Sequence, residues 1–205
     1  MAKPVPWLIP AVWTGALLPV PMLAVQAQSG DLGANPVAEV LNRLGLLTLV
    51  SLLACLSCTP VQTSLGWTWA IRIRKHLGNI AFTYACLHFT TWAAIDHGLD
   101  WQVLLDDVVK RPFITVGFLA WLTLIPLAVT STANAVKRLG FTRWKRLHRL
   151  VYVVGALASM HFIWRGKTLQ TEAVIYGAVY VLLMSLRVLT WARLRQKRQR
   201  AKGFA

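Results

Sequence analysis

A chain of 205 residues that is 56% hydrophobic and 14% charged, with 10 tryptophans, is wrong for a soluble domain and right for a polytopic membrane protein. A net charge of +15 would suggest nucleic acid in a soluble protein, but here the charge is sorted by side, which excludes that partner. With the N-terminus in the cytoplasm, Lys3, Arg72 to Lys75, Lys137 to Arg149 and the tail from Arg187 to Lys202 all fall inside. Only Arg43, Lys110, Arg111, Arg165 and Lys167 fall outside, together with all seven acidic residues. This is the positive-inside asymmetry of an inner-membrane protein with both termini cytoplasmic.

The residues predict an all-α bundle of six transmembrane helices in a single domain over 1–205. Residues 4–30, 44–71 and 112–136 carry no charged side chain, and each run exceeds the ~20 residues a span needs. The first holds Pro10, Pro19 and Pro21 and reads as a kinked span, with a cleaved secretory signal as the alternative. Span two runs from Leu44 to about Thr59. Its Cys55-Leu-Ser-Cys58 lies in an apolar helix with no second pair, so it reads as small residues at a helix interface rather than a redox or zinc motif. Residues 60–76 read as a basic, aromatic connection, and span three is 76–95. DHGLDWQVLLDDVVKR then reads as an amphipathic surface segment, in which His97 is taken as an ordinary loop histidine. Span four, from Pro112 to Thr130, contains Pro126, and a basic loop precedes span five, 147–165. Span six, 172–192, leads into a solvated basic tail suited to anionic lipid. The last two spans reach full length only if Arg149 and Arg187 snorkel to the interface. Trp7, Trp92, Trp101, Trp144, Trp164 and Trp191 sit near span ends, as an interfacial belt requires.

The chemistry lies in the histidines. An imidazole in hydrocarbon is costly unless paired, liganded or facing water. Spans three and five run in the same direction, which puts His88 and His161 in the outer half of the bilayer, offset by about four residues or ~6 Å of helical rise. Such a pair can offer two axial nitrogens to one haem iron, a coordination that favours electron transfer over oxygen binding. Gly155, Ala156, Ala158 and Ser159 beside His161, and Ala81 and Ala85 near His88, leave room for a macrocycle or simply permit close helix packing. His148 lies ~20 Å from His161 along the helix, near the cytoplasmic face. A second haem there would need His76, roughly 120° around the helix from His88, so one haem is the preferred reading. A hydrogen-bonded histidine pair joining two helices, a small transporter relaying protons or metal ions, and an assembly factor are the alternatives. No G-x-G-x-x-G or Walker motif is present, so a haem here would relay electrons between other proteins.

LGANPV (32–37), RIRKHLGN (72–79), LHFTTW (87–92), KRPFITVG (110–117), TSTANAVKRLG (130–140), RWKRLHRLVYVV (143–154) and MHFIW (160–164) occur in that order across nearly the whole chain. In these motifs the chain resembles the MsrQ (formerly YedZ) family, haem-binding membrane subunits of the bacterial periplasmic protein-methionine-sulfoxide reductase system, within the ferric reductase-like transmembrane superfamily. The resemblance implies haem b ligated by His88 and His161, with His148 as a third functional histidine. It also implies electrons drawn from the quinone pool or a cytosolic flavin reductase and passed to a molybdenum-containing periplasmic methionine-sulfoxide reductase subunit. Bound FMN is implied too, with no motif to attach it to.

Overall fold

The computed structural model describes residues 6–166 and 170–203; Lys3 and Lys167, part of the charge asymmetry, lie outside them. The described residues form helices joined by short turns, with no strand among them. In chain order these are α1 (Leu8–Leu17), α2 (Pro19–Ser29), α3 (Pro36–Leu65), α4 (Trp69–Thr90) continued by a π-helical segment (Thr91–Asp96), α5 (Trp101–Lys110), α6 (Pro112–Val129), α7 (Ala133–Leu139), α8 (Phe141–Leu147), α9 (Leu150–Trp164) and α10 (Thr171–Gly203).

Among the described residues, five stretches are long and apolar enough to cross a membrane: Leu8–Ser29, Pro36–Leu65, Pro112–Val129, Phe141–Trp164 and Thr171–Gln196. The all-α membrane bundle is as expected, but the sixth stretch, 76–95, does not reach that standard. The stretch itself carries His76, Asn79, His88 and three threonines, which lower its mean hydropathy, and its helix starts still earlier. α4 begins at Trp69 and takes Arg72, Arg74, Lys75 and His76 into its opening turns, which dilutes its apolar character.

Other boundaries differ for local reasons. α3 starts eight residues before Leu44 because the Asn35 side chain accepts from the Ala38 N–H at 3.1 Å and Pro36 takes the first helical position. It ends past Thr59, at left-handed Gly66 (φ 72°), so the connection to α4 shrinks to residues 66–68. Pro60 within α3 cannot donate to the Leu56 carbonyl one turn back. Arg187 of α10 does so instead, at 2.5 Å, while its other terminal nitrogen reaches the Tyr152 hydroxyl at 3.1 Å. Arg187 is thus turned into the bundle and does not snorkel outward. The basic loop before span five folds as α7 and α8, the tail continues α10 helically to Gly203, and α1 and α2 meet in a hinge at Leu18 before Pro19.

α3 is the axis of the bundle. Leu52 of α3 packs with Ala81 and Ala85 of α4, Leu124 of α6 and Val154 of α9. Leu49, Leu53 and Leu56 on another face of α3 pack with Phe162 of α9 and Leu183 of α10. Leu44 joins Ile80, Tyr84 and Leu23, which ties the N-terminal pair of helices to the flank of α3 and α4. Since lipid is as apolar as leucine, association depends on close fit. A Cβ at Gly155 would lie 2.6 Å from the Tyr180 ring, and one at Gly78 would meet Cys55 Sγ at 3.6 Å. Gly155 therefore serves the α9–α10 contact. The Cys55 and Cys58 thiols donate to the carbonyls of Arg74 and Ala54.

Candidate functional site

α3, α4, α6 and α9 enclose a cavity of about 270 Å³, and His88 of α4 and His161 of α9 both line it. Their ring centres lie 6.1 Å apart with the ring planes at 83°. The two imidazoles that the sequence places on separate spans therefore meet at one level.

Each ring is held by the same device on a different helix. His88 Nδ1 lies 3.0 Å from the Leu41 carbonyl oxygen of α3, and His161 Nδ1 lies 2.7 Å from the Phe113 carbonyl oxygen of α6. A carbonyl only accepts, so each Nδ1 carries the proton and each Nε2 keeps its lone pair. Four residues beyond each carbonyl stands a glycine. A Cβ at Gly45 would come within 3.3 Å of His88 Cε1 and Nδ1, and one at Gly117 within 2.6 Å of His161 Nδ1. The missing side chains let the rings lie flat against the helices and reach their backbones. Fixing one ring nitrogen by a backbone carbonyl sets the tautomer and raises the basicity of the other, the usual second-sphere support of a metal-ligating histidine.

The walls are apolar and aromatic. Phe89 and Trp121 stack at 4.0 Å and 8°, with Phe118 and Trp92 beside them. The buried Trp121 Nε1 has no partner among the described residues. The helix carrying His88 widens into its π-helical segment at Thr91, where such segments often accompany functional sites. Gly98 and Leu99, both left-handed (φ 58° and 61°), then turn the chain back. The turn brings His97 Nε2 to 3.0 Å from Asp107 Oδ2, while Asp107 Oδ1 takes Arg111 Nε at 3.2 Å. His97 is therefore no free loop histidine. It is half-buried beside Trp92 and tied to a buried carboxylate that shares the mouth of the cavity with Arg111 and Arg165.

His148 is elsewhere. It occupies the break between α8 and α9, its ring tilted 30° over Trp144 at 4.2 Å, with Nε2 3.0 Å from the Thr130 hydroxyl. It lines a second cavity of about 660 Å³ together with Arg74, Lys75, Lys145, Arg149 and Arg187. His76 does not line it: His76 Nδ1 accepts the Trp13 indole N–H at 3.0 Å. Of the six tryptophans expected at an interface, Trp7, Trp101, Trp164 and Trp191 are exposed, whereas Trp92 and Trp144 face the two cavities.

Among the described residues, no group of three or more His, Cys, Asp or Glu side chains comes together as a metal cage. Two imidazoles lining one cavity, each bonded through Nδ1, suit a metal that brings its remaining ligands in a flat group of its own. Fold and site together thus define a helical membrane protein with two imidazoles lining one cavity. The chain belongs to the ferric reductase like transmembrane component family, whose model matches residues 42–159, a stretch that includes His88 and stops two residues short of His161. Within it the chain belongs to the MsrQ family. It is 46% identical over 196 residues to the protein-methionine-sulfoxide reductase heme-binding subunit MsrQ of Herminiimonas arsenicoxydans, covering 95% of this chain and 88% of that one. It is 47% identical over 180 residues to that of Ralstonia nicotianae (87% and 83%) and 46% identical over 193 residues to that of Deinococcus radiodurans (93% and 94%). No solved structure matches the chain.

Proposed function

We propose that the chain, as one domain, is the membrane electron-transfer subunit of a methionine-sulfoxide reductase system, with His88 and His161 as axial ligands of a single haem b. One observation carries this reading: the imidazole centres stand 6.1 Å apart with both Nδ1 atoms engaged by carbonyls. A separation of this size leaves room for one metal ion that both Nε2 atoms would hold. When bound, a bis-imidazole haem supplies a one-electron couple with no open position for oxygen. The protein's part is to hold both rings by their Nδ1 protons, to keep Ala85, Leu124 and Val154 against the site so that water stays out, and to wall it with Phe89 and Trp121. Burial and those two hydrogen bonds are its means of tuning the potential.

In this reading α4 and its π-helical continuation, 22 and 6 residues long, are the sixth span. The basic end faces the cytoplasm of a bacterial inner membrane, with both termini inside. Electrons enter there from quinol or a cytosolic flavin reductase. The second cavity supports an anionic cofactor such as FMN at that end, since among the described residues five cationic side chains line it and no acidic one does; His148 belongs to this entrance. With His76 bonded to Trp13, His148 lacks an opposing imidazole, which favours one haem over two. Electrons leave at the acidic end to a molybdenum-containing periplasmic subunit. The test is reduction of the purified protein by a flavin reductase with NADPH, followed by reoxidation on adding the periplasmic subunit with a methionine-sulfoxide substrate. Failure of either transfer refutes the corresponding partner.

A further inference from the structure

We infer that Arg111 and Arg165 hold the carboxylate-bearing edge of the group seated between His88 and His161. The inference rests on the haem reading above, haem being a flat macrocycle with two carboxylates on one edge. Both arginines line the histidine cavity at one end, and each stands next to the machinery that holds a ring. Arg165 is one turn beyond His161, its backbone N–H bonded to the His161 carbonyl at 3.1 Å. Arg111 immediately precedes α6, two residues before the Phe113 carbonyl that takes the His161 proton.

The two guanidinium groups keep donors to spare, although Asp96 lines the same cavity and Glu172 and Glu39 lie near enough to Arg165 to act on its charge. Arg165 lies over the Phe162 ring at 5.1 Å and donates to the Asn42 side-chain oxygen, a neutral amide next to the Leu41 carbonyl that serves His88. Arg111 meets Asp107 through Nε alone, and Asp107 divides its charge between Arg111 and His97. Cations fixed at the rim of an apolar cavity are set to take planar carboxylates, for which guanidinium is the matching donor. The opposite end of the cavity, walled by Leu52, Leu124 and Val154, presents no cationic side chain among the described residues, so the pair also favours one way round for the macrocycle.

The experiment compares binding of haem and of haem dimethyl ester, in which both carboxylates are masked, to the full-length protein stripped of cofactor in detergent. Wild type, Arg111→Gln, Arg165→Gln and the double variant are titrated. Arg43→Gln is the control, a cation bonded to Glu39 and Gln26 at the same end and outside the cavity. Each arginine substitution should weaken haem binding about tenfold or more, the worth of a charge-assisted hydrogen bond. The same substitutions should leave diester binding unchanged, and wild type should bind the diester as weakly as the double variant binds haem. Losing a nearby positive charge should also move the midpoint potential to more negative values while the bis-imidazole spectrum persists. Equal losses for haem and diester, or variants that bind haem as wild type does, overturn this inference and leave the haem reading intact. A wild type that binds neither overturns the haem reading itself.

Discussion

The Phe113 carbonyl accepts the His161 Nδ1 proton at 2.7 Å, and it does so because Gly117, one turn further along α6, has no side chain to stand in the way. A methyl group there would sit 2.6 Å from the nitrogen and collide with the body of the ring. The flexible end of a long side chain could move aside, but an imidazole fixed by a backbone hydrogen bond has little freedom.

Gly117→Ala should therefore displace His161 with every ligand residue intact. Overpacking of this kind costs about 1–3 kcal/mol. The haem-to-protein absorbance ratio of the purified variant should fall severalfold. Gly45→Ala, whose added carbon would meet His88 at 3.3 Å, should lose much less. Equal haem content in both variants would show that the glycines do not position the rings.

Arg187 and Pro60 should be coupled. Arg187 donates to the Leu56 carbonyl that Pro60 leaves without its helical donor, so Arg187→Leu should lower stability by about 1–3 kcal/mol, read from thermal unfolding in detergent. In a Pro60→Ala background, where the helix supplies the donor, the same change should cost about 1 kcal/mol less. A double-mutant cycle with no coupling would contradict the assignment.

Asp107 is 11% exposed in its side chain and serves both His97 and Arg111. Asp107→Asn should release both partners and loosen the turn that joins α4 to α5, at a cost of about 1–3 kcal/mol. Limited proteolysis between residues 96 and 101 reads this directly. An unchanged cleavage rate would mean that the left-handed pair Gly98–Leu99 holds the turn unaided.

His148→Ala should keep the spectrum of a haem held, as proposed, by His88 and His161, because the two sites line different cavities. Reduction from the basic end should slow several-fold as the Trp144 ring contact and the Thr130 hydrogen bond are lost. Stopped-flow reduction separates the two effects. Loss of the whole spectrum would place His148 in the primary site.

Much of this molecule is legible in its residues. Uncharged runs locate most helices, and His88 and His161 can be paired from direction and depth alone. Helix ends are less legible: Asn35 and Gly66 extend α3 by local backbone chemistry that hydropathy does not register. The small residues on the histidine helices are only part of the site, where Ala85 and Ala158 line the cavity. Gly155 and Ala156 share a helix with His161, yet Gly155 serves packing against Tyr180, and the glycines that seat the rings lie on the facing helices α3 and α6. The spacing of Leu41 to Gly45 and Phe113 to Gly117 is visible in the sequence, but it gains meaning only once the facing helix is known. His97 and Asp107, ten residues apart across a turn, join for the same reason.

The most direct measurement is the low-temperature electron paramagnetic resonance and reduced-minus-oxidised absorbance of the purified protein beside His88→Ala and His161→Ala. The expected result is a low-spin bis-imidazole ferric signal and a b-type difference spectrum in the unaltered protein, with both lost in either variant. A haem spectrum that survives either substitution, or a colourless unaltered protein, would contradict ligation by these two histidines.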